Sequence, residues 1–338
     1  MDILKFLIKR LLYGILVLLG LSLIIFVLTR IIPGNPARLA LGPAATQEAV
    51  DALSERMHLN EPFFVQYWYW LTGAIHGDLG MSLITKRNVA ADIAEFLPTT
   101  LELTVIGIVC SIVFSIVLGV GCAIFAGRWP DHVMSFLSCL GVAIPGFVTA
   151  ILLLHFFGNI WKVIPVIGLL DHGFQTPPTV TGFLVLDCLI AGDTAAAWNA
   201  FQHLLVPAIA ISAEKMFSQV RIIRSTMLEN RNKEYITAIT GYGLPKRVII
   251  GKYLLKPSLI SSISVIGLNV AFMLGGTCII EQIFSVAGLG MYGASAILNK
   301  DLNAIVGVVL VYGAITVLVN LVVDLIVSLL DPRIRRGH

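Results

Sequence analysis

Six long apolar stretches constrain this chain more than any other feature. About 20 helical residues cross the hydrocarbon core of a membrane, so an apolar run of 18 or more predicts a transmembrane helix. The runs are about Leu7–Ile31, Thr99–Ala126, Val133–Phe157, Leu204–Met227, Leu259–Ile283 and Ala304–Leu330. Only 13% of the 338 residues are charged, about half the share found in soluble domains. The sequence therefore predicts an all-α membrane protein with six transmembrane helices.

The positions of the basic residues predict its orientation. With six spans, the N-terminus, the 127–132 turn, the 221–258 segment and the C-terminus lie on one side and hold fifteen Lys and Arg residues. The connecting segments 32–98, 158–203 and 284–303 hold six. Basic residues are enriched on the cytoplasmic side of membrane proteins. We therefore expect both termini and the 221–258 segment to lie in the cytoplasm.

Residues 221–256 carry eight Lys and Arg residues between two apolar runs. At about 2.5–3.5 kcal/mol each, their insertion at mid-membrane would cost roughly 20 kcal/mol or more. This segment should be in water.

Part of the segment has helical periodicity. The apolar residues spaced at i, i+3, i+4 and i+7 are Tyr235, Ala238, Ile239 and Tyr242, which predicts one face of a short helix. Gly243 stands where a helix often ends on a left-handed residue, and Pro245 fits the start of a second helix. Such a helix either lies on the membrane surface or inserts its apolar face into a groove on a soluble partner. The spacing alone leaves both open.

The segment resembles the cytoplasmic "EAA" loop of permease subunits of ATP-binding cassette importers, in the form found in the dipeptide, oligopeptide and nickel branch. That form runs roughly E-Y-V-x-x-A-x-x-x-G-L. Its places are taken here by Glu234, Tyr235, Ile236, Ile239, Gly243 and Leu244. Ile239 stands where the branch usually has Ala, and Thr237 where the wider superfamily has Glu.

Other stretches are similar to the same family over nearly the whole chain. They are "FLIKRLLYGILVLLGLSLIIFVLTRIIPGNPA", "LNEPFFVQYWYWL" followed by "HGDLGMS", "LPTTLELT", "IIEQIFSVAGLGMYGASAI" and "LVVDLIVSLLDPRIR". The resemblance is to the first of the two permease subunits. It implies a type I importer fold in the bacterial inner membrane and a cytoplasmic coupling helix.

The resemblance also implies an organisation and a set of partners. It divides the chain into an anchor helix (1–31), an external, periplasmic loop with amphipathic helices (32–97), a five-helix permease core (98–330) with a coupling loop at 230–257, and a cytoplasmic tail (331–338). The implied partners are two ATPase subunits, a second homologous permease and a periplasmic or lipid-anchored solute-binding protein, besides membrane lipid. ATP and Mg would be bound by the ATPases, and no nucleic acid is implied. The implied mechanism is alternating access.

The residues themselves give little support to other chemistry. No G-x-x-x-x-G-K-[ST] occurs, so a phosphate cradle would have to lie on another chain. "GLGMYG" at 288–293 matches G-x-G-x-x-G but follows an apolar span and not a strand, and we interpret it as a glycine-rich external turn. The seven histidines lack metal-ligand spacing, and no catalytic motif is present. We expect no enzyme, no metal site and no cofactor in this chain.

Ionisable groups at membrane depth tend to face the protein interior or a water-filled path. Glu102 either closes a capping box with Thr99 or belongs to the path. Glu214 and Lys215 lie mid-span and point about 100° apart on a helix, so we expect them not to neutralise each other simply. They line the path or meet a partner's polar group.

Asp324 shares a face with Asn320 at i,i+4. This spacing suits hydrogen bonding between helices or contact with substrate.

The function expected is import of dipeptides or oligopeptides using ATP hydrolysed by partner subunits. Nickel or metal chelates and other small solutes are alternative cargoes. An ion-coupled secondary transporter using Glu214, Lys215 and Asp324 is the alternative of another class, and it would need no ATPase.

Overall fold

The computed structural model describes residues 3–31, 36–42, 45–56 and 58–330. The predicted tail, 331–338, lies outside the described residues. The described residues form these α-helices: α1 (Ile3–Ile31), α2 (Pro36–Leu41), α3 (Gln47–Arg56), α4 (Phe63–Ile75), α5 (Val89–Ile124), α6 (Trp129–Ala143), α7 (Gly146–Leu153), α8 (Leu184–Ile190), α9 (Thr194–Arg231), α10 (Glu234–Gly241), α11 (Lys246–Val248), α12 (Lys256–Phe284), α13 (Leu289–Leu298) and α14 (Leu302–Leu330). Single π-helical stretches follow α7 (Leu154–Trp161) and α11 (Ile249–Leu255). The all-α prediction is confirmed over these residues.

Four described helices are long and apolar enough to cross a membrane, and a fifth span is possible if one bent pair counts as one. The four segments are Ile8–Leu28, Val89–Ile124, Val265–Phe284 and Leu302–Ser328. The bent pair is α6 with α7 and its π-helical extension. The structure thus supports a polytopic membrane protein with four or five such spans among its described residues, where the sequence predicts six.

The predicted span Val133–Phe157 is not one straight helix. It is broken between α6 and α7, whose combined span is bent by 108°. Ile144 at the break has extended backbone, and Pro145 precedes the first residue of α7. Because the residue before a proline is disfavoured in the helical region, the Ile144–Pro145 pair explains the break.

Two other predicted spans also differ from the observed helices, which are α9 and α5. The predicted span Leu204–Met227 lies inside α9, a helix of 38 residues that carries several charges and is too polar to pass as an apolar span. The predicted span Thr99–Ala126 begins ten residues earlier, at Val89, because Asn88 accepts a hydrogen bond from the Ala90 N–H and Pro98 is accommodated within α5. A proline in a membrane helix is tolerated when neighbouring groups satisfy the backbone.

Glycines let two pairs of helices approach closely. A Cβ on Gly107 of α5 would lie 3.1 Å from the Ala208 carbonyl oxygen of α9, and one on Gly119 would lie 3.2 Å from that of Val220. In a second pair, a Cβ on Gly14 of α1 would lie 2.5 Å from Val317 Cγ1 of α14. Lipid provides no hydrophobic driving force for helices to associate, so their association depends on close van der Waals packing. Small residues at such crossings allow this close packing.

Four buried clusters form the core of the described residues, and the smallest, around Cys188, Ala196 and Ala197, joins α8 to the start of α9. The other three are larger. The central one lies between α5, α7, α9 and α12 and includes Leu103, Leu204 and Met273. A second lies at the Val89 end of α5 and joins α5 to α13 and α14. The third lies at the opposite end of α5 and joins it to α9, α10 and the π-helical stretch after α11. Helix α5 therefore connects the second cluster at its Val89 end to the cluster that holds α10 at its other end.

Candidate functional site

Helix α10 stands at the end of α9, separated from it by a two-residue turn. Asn232 ends α9 and Lys233 precedes α10, which runs from Glu234 to Gly241. Gly243 follows with φ +76°, a left-handed conformation that costs glycine little and other residues more. The predicted short helix and its glycine stop are confirmed.

The structure divides the predicted apolar face of α10. Ile239 is half-buried and packs into the third cluster, beside Ile236, which is 6% exposed. Tyr235, Ala238 and Tyr242 face outward, and Tyr242 is 84% exposed. These three residues, spaced at i, i+3 and i+7, are called the outer face of α10 below. Ile236, which the sequence analysis names only for its place in the loop pattern, is the residue that anchors α10.

The anchor is built from residues of several helices. The buried members around Ile236 are Ala123, Ile223, Met227, Ile249 and Leu254, with Leu244 packed against them. A cavity of ≈ 350 Å³ lies beneath α10 and is lined by Ile236 and Thr240 among others. The Tyr235 hydroxyl donates to the Tyr253 carbonyl oxygen at 3.4 Å. Helix α10 is therefore held through Ile236 and Ile239, while the outer face stays exposed apart from the Tyr235 hydroxyl bond.

Glu102 does not close a capping box, because α5 begins at Val89 and both Thr99 and Glu102 lie in its interior. The Glu102 carboxylate is 6% exposed and accepts hydrogen bonds from the Leu184 and Val185 N–H groups at 2.8 and 3.0 Å. These are the first amides of α8. Glu102 thus ties the connection between α7 and α9 to α5.

Glu214 and Lys215 form an ion pair with each other. Lys215 Nζ lies 2.8 Å from Glu214 Oε1, so the expectation that adjacent residues would not neutralise each other was wrong. Their long side chains reach across the angle between them. The Glu214 side chain is 41% exposed and that of Lys215 18%. Lys215 also stands 5.2 Å from the centre of the Phe272 ring of α12, a cation–π contact.

A further polar residue lies on α12, the helix that Lys215 contacts. Asn269 is one helical turn before Phe272 on α12, and its Nδ2 is buried with no partner among the described residues. Buried polar groups are nearly always hydrogen-bonded. The contact between α9 and α12 therefore contains an ion pair with a cation–π contact and an unpartnered buried amide.

Asp324 joins α14 to α1. Its Oδ2 lies 2.9 Å from Nη1 of Arg10, which confirms the prediction of a contact between helices. Asn320, on the same face, is exposed.

The sequence reasoning missed a buried carboxylate, Glu281, at the Val89 end of the molecule. Glu281 is fully buried and accepts from the Thr100 hydroxyl at 2.6 Å and from the Met291 N–H at 2.8 Å. Thr100 in turn accepts from the Leu289 N–H at 2.7 Å. Thr100 and Glu281 thus hold α13 by accepting hydrogen bonds from its first backbone amides. A negatively charged carboxylate is favourable at a helix N-terminus because of the helix dipole.

Glycines of the "GLGMYG" stretch make this arrangement possible. A Cβ on Gly288 would lie 2.6 Å from the Glu281 carboxylate, and one on Gly290 would lie 2.6 Å from the Cys278 N. The stretch follows α12 and opens α13 with no strand before it. The interpretation as a glycine-rich turn was wrong for most of the stretch, because Gly288 caps α13 and residues 289–293 form its first turns. Its external location stays a prediction. The signal that could have revealed its partner is the acidic Glu281 at the end of an apolar span.

Two further buried aspartates hold the same end together. Asp301 accepts from the Ser82 hydroxyl and the Leu83 N–H, both at 2.6 Å. Asp92 accepts from the Tyr292 hydroxyl at 3.1 Å. The Asp301 bonds fasten the segment before α5 to the connection between α13 and α14, and the Asp92 bond joins α5 to α13.

Asp187 orders the connection before α8. It accepts from the Thr181 hydroxyl at 2.7 Å and from the backbone N–H groups of residues 180, 181 and 182. These donors, the Thr181 hydroxyl first, lower the pKa of the Asp187 carboxyl below its ordinary value.

The described residues contain no group of three or more His, Cys, Asp or Glu side chains that could hold a metal ion. His203 is buried close to Asp171, 3.3 Å from Nε2 to Oδ1, and the two form no larger cluster. The five cysteines form no disulfide.

The fold and this site describe a multi-pass membrane protein whose amphipathic helix projects from one end of its helical bundle. Comparison with known families makes the class specific. Residues 111–336 match the family described as "Binding-protein-dependent transport system inner membrane component". Residues 3–104 match the N-terminal domain of the same kind of membrane component. The chain belongs to this family and is a permease of the first-subunit type, and not an enzyme.

Full-length relatives agree. The chain is 36% identical over 324 residues to the probable D,D-dipeptide transport system permease protein DdpB of Escherichia coli K12, covering 96% of this chain and 95% of the relative. It is 36% identical to the dipeptide transport system permease protein DppB of Alkalihalophilus pseudofirmus, covering 97% and 98%. It is 27% identical to the glutathione transport system permease protein GsiC of E. coli K12, covering 98% and 99%.

Family membership settles several expectations. The chain is a multi-pass protein of the inner membrane, and the family carries no cofactor. A binding-protein-dependent system of this kind also comprises ATPase subunits, a second permease and a solute-binding protein. These are the partners of this chain.

Proposed function

We propose that this chain is the first of two permease subunits of an importer that moves dipeptides or oligopeptides across the bacterial inner membrane. Two partner ATPases bind ATP and Mg and supply the energy. The observation that carries the proposal is the outer face of α10, exposed at Tyr235 and Tyr242 while Ile236 fixes the helix to its own bundle. A surface built this way suits a groove on a soluble partner.

The proposed membrane architecture has six spans of the type I importer kind. Helix α9, with its 38 residues, is long enough at about 57 Å to supply the sixth, and it packs against both α5 and α12. Both termini, α10 and the tail 331–338 lie in the cytoplasm, as the basic residues indicate. Residues 1–31 are the anchor, 32–97 the external loop, and 98–330 the core with its coupling loop at 230–257.

In this proposal α10 is the coupling helix. Tyr235, Ala238 and Tyr242 contact the ATPase, and Glu234 begins the helix with a charge that complements its dipole. Ile239 and Leu244 transmit the motion to the bundle through the third cluster. Gly243 sets the angle at which the chain turns back toward α12. A surface-lying helix would instead turn its apolar residues to lipid, and the burial of Ile236 and Ile239 against the chain's own bundle favours docking.

The translocation path is proposed to run beside the Glu214–Lys215 pair. Their exposure, the unpaired amide of Asn269 and their place in the middle of α9 and α12 support this role, since ionisable groups in membrane spans mark substrate pathways. Glu102 and Asp324 are engaged within this chain, with α8 and Arg10 respectively. We assign them to holding the bundle that surrounds the path.

The peptide cargo rests on the relatives, whose names state dipeptide and glutathione transport. Glutathione is itself a tripeptide derivative, so peptide-like solutes are the shared class. Nickel or another metal chelate is the alternative cargo. The binding protein, periplasmic or lipid-anchored, sets which solute is delivered.

The test is a mild-detergent purification of the tagged chain from native membranes, with co-purifying proteins identified by mass spectrometry. We expect a second permease and P-loop ATPases. If the folded chain is recovered only with itself, the proposal is overturned. Uptake that collapses with a protonophore while ATP stays high would favour the ion-coupled transporter.

A further inference from the structure

A polar cavity lies between α6 and α9, away from the coupling helix and the Glu214–Lys215 pair. Its volume is ≈ 520 Å³. The lining residues are Ser135, Cys139, Ser218, Arg221, Ile222, Arg224 and Ser225. Two guanidinium groups and three hydroxyls thus meet in one cavity whose lining contains no carboxylate.

Arg224 is fixed in place by Asp131. Its Nε and Nη2 lie 2.5 and 2.7 Å from the two carboxylate oxygens, a bidentate pair. Asp131 is 1% exposed and also accepts from the Gly127 N–H at 2.9 Å. The Asp131 carboxylate is therefore paired with Arg224 in the wall of the cavity. The N–H groups on Nη1 of Arg224 take no part in this pair and can donate to a ligand.

Arg221 supplies a positive charge that the wall does not balance. It lies one helical turn before Arg224, is exposed, and makes no salt bridge with any carboxylate of the described residues. Ser218 and Ser225 flank it at i−3 and i+4 on the same face of α9. A guanidinium only donates hydrogen bonds and carries a positive charge, so this face of α9 suits a negatively charged acceptor.

We propose that this cavity binds the phosphate group of an anionic ligand, with Arg221 and Arg224 as its charged donors. Guanidinium forks match phosphate oxygens, and serine hydroxyls supply further donors. Either an anionic phospholipid of the surrounding membrane or a free phosphate compound carries the required group.

The surroundings of the cavity favour the lipid. Phe136 and Leu140 of α6, next to the lining residues Ser135 and Cys139, are 64% and 41% exposed. An acyl chain can lie along this apolar strip while the headgroup occupies the cavity. Arg224 precedes Arg231, the end of α9, by seven residues, or about 10 Å. In the membrane placement proposed above, this depth is that of the cytoplasmic leaflet, where basic pockets between helices bind headgroups.

The experiment uses the whole transporter complex, purified with all of its subunits and tested by native mass spectrometry against three probes. They are short-chain phosphatidylglycerol, short-chain phosphatidylcholine and inorganic phosphate. We expect phosphatidylglycerol to bind more tightly than phosphatidylcholine. Arg221→Gln should weaken phosphatidylglycerol about fivefold, the effect of about 1 kcal/mol per basic residue near a membrane surface. Arg221→Lys, which keeps the charge but loses the fork, should weaken it less.

Arg128→Gln is the matched control, since Arg128 is exposed at the start of α6 and lines no part of this cavity. Inorganic phosphate binding that Arg221→Gln weakens, with no preference between the two lipids, would support the phosphate site and assign it to a free ligand. Equal binding of both lipids without phosphate binding would overturn the proposal. So would an Arg128→Gln effect as large as that of Arg221→Gln. Co-purification of the ATPases and second permease with Arg221→Gln checks folding and assembly, and tests the proposed function separately.

Discussion

The hydroxyl of Thr100 donates to the carboxylate of Glu281 at 2.6 Å, across 181 positions of sequence. This bond joins α5 to α12, and the Leu289 and Met291 amides join both to α13. One buried carboxylate therefore organises the end of the bundle opposite α10.

Glu281→Ala should destabilise the protein strongly. It leaves the Thr100 hydroxyl and the Met291 N–H without their acceptor, at about 1–3 kcal/mol for each buried unsatisfied group. The measurement is the midpoint of thermal unfolding of the purified protein in detergent. Glu61→Ala, at an exposed position, is the control and should leave the midpoint unchanged. Equal midpoints for the two variants would contradict the assigned role of Glu281.

Ala238→Asp and Ile236→Asp should separate docking from folding. Ala238 is exposed on the outer face, so a charge there should prevent the ATPases from co-purifying while the bundle stays folded. Ile236 is 6% exposed, and a charge there must be buried or the helix released, at a cost of several kcal/mol. The amount of ATPase recovered and the unfolding midpoint are measured for both. Normal ATPase recovery with Ala238→Asp would show that the outer face of α10 does not contact the ATPases.

Asp131→Asn should weaken the contact between α6 and α9. The Arg224 side chain is 31% exposed, so solvent screens part of the lost pairing and the cost should be about 1–3 kcal/mol in free energy of unfolding. A double-mutant cycle with Arg224→Gln isolates the pair. A coupling energy near zero would show that the two side chains do not stabilise the bundle together.

Removing the charge at position 214 should change import but not assembly. Glu214→Gln leaves Lys215 without its partner beside the path, and we expect peptide uptake to fall about tenfold, or about 1.4 kcal/mol in the transport barrier. Glu229→Gln, at an exposed position on the same helix, is the control. Unchanged uptake with Glu214→Gln would take the pair out of the path.

Local patterns in the sequence were enough for some of these features. The apolar runs give the membrane class, and the spacing 235, 238, 239 and 242 with Gly243 gives α10 and its end. The burial of Ile239 could not be predicted, because Ile239 sits at the edge of the apolar face and only the position of Met227 and Leu254 decides which way it turns.

Long-range pairings could not be read from spacing. Glu102 with Leu184, Asp131 with Arg224 and Glu281 with Thr100 join residues on different helices. Pro145 is a local signal for the break after Ile144. The break was not predicted because the residues on both sides of it form one continuous apolar run. The apolar run 204–227 also did not reveal that it belongs to one continuous helix, α9, which extends beyond the run at both ends and carries charged residues at 214, 215, 221 and 224.

The most direct test of the account measures peptide uptake by proteoliposomes that contain the whole complex, with binding protein outside and ATP inside. Uptake is followed with a protonophore present, for the wild-type chain and for Ala238→Asp. We predict that wild-type uptake requires ATP and persists with the protonophore, and that Ala238→Asp abolishes it. Uptake that stops with the protonophore at high ATP, or that is normal with Ala238→Asp, would contradict an ATPase-driven permease coupled through α10.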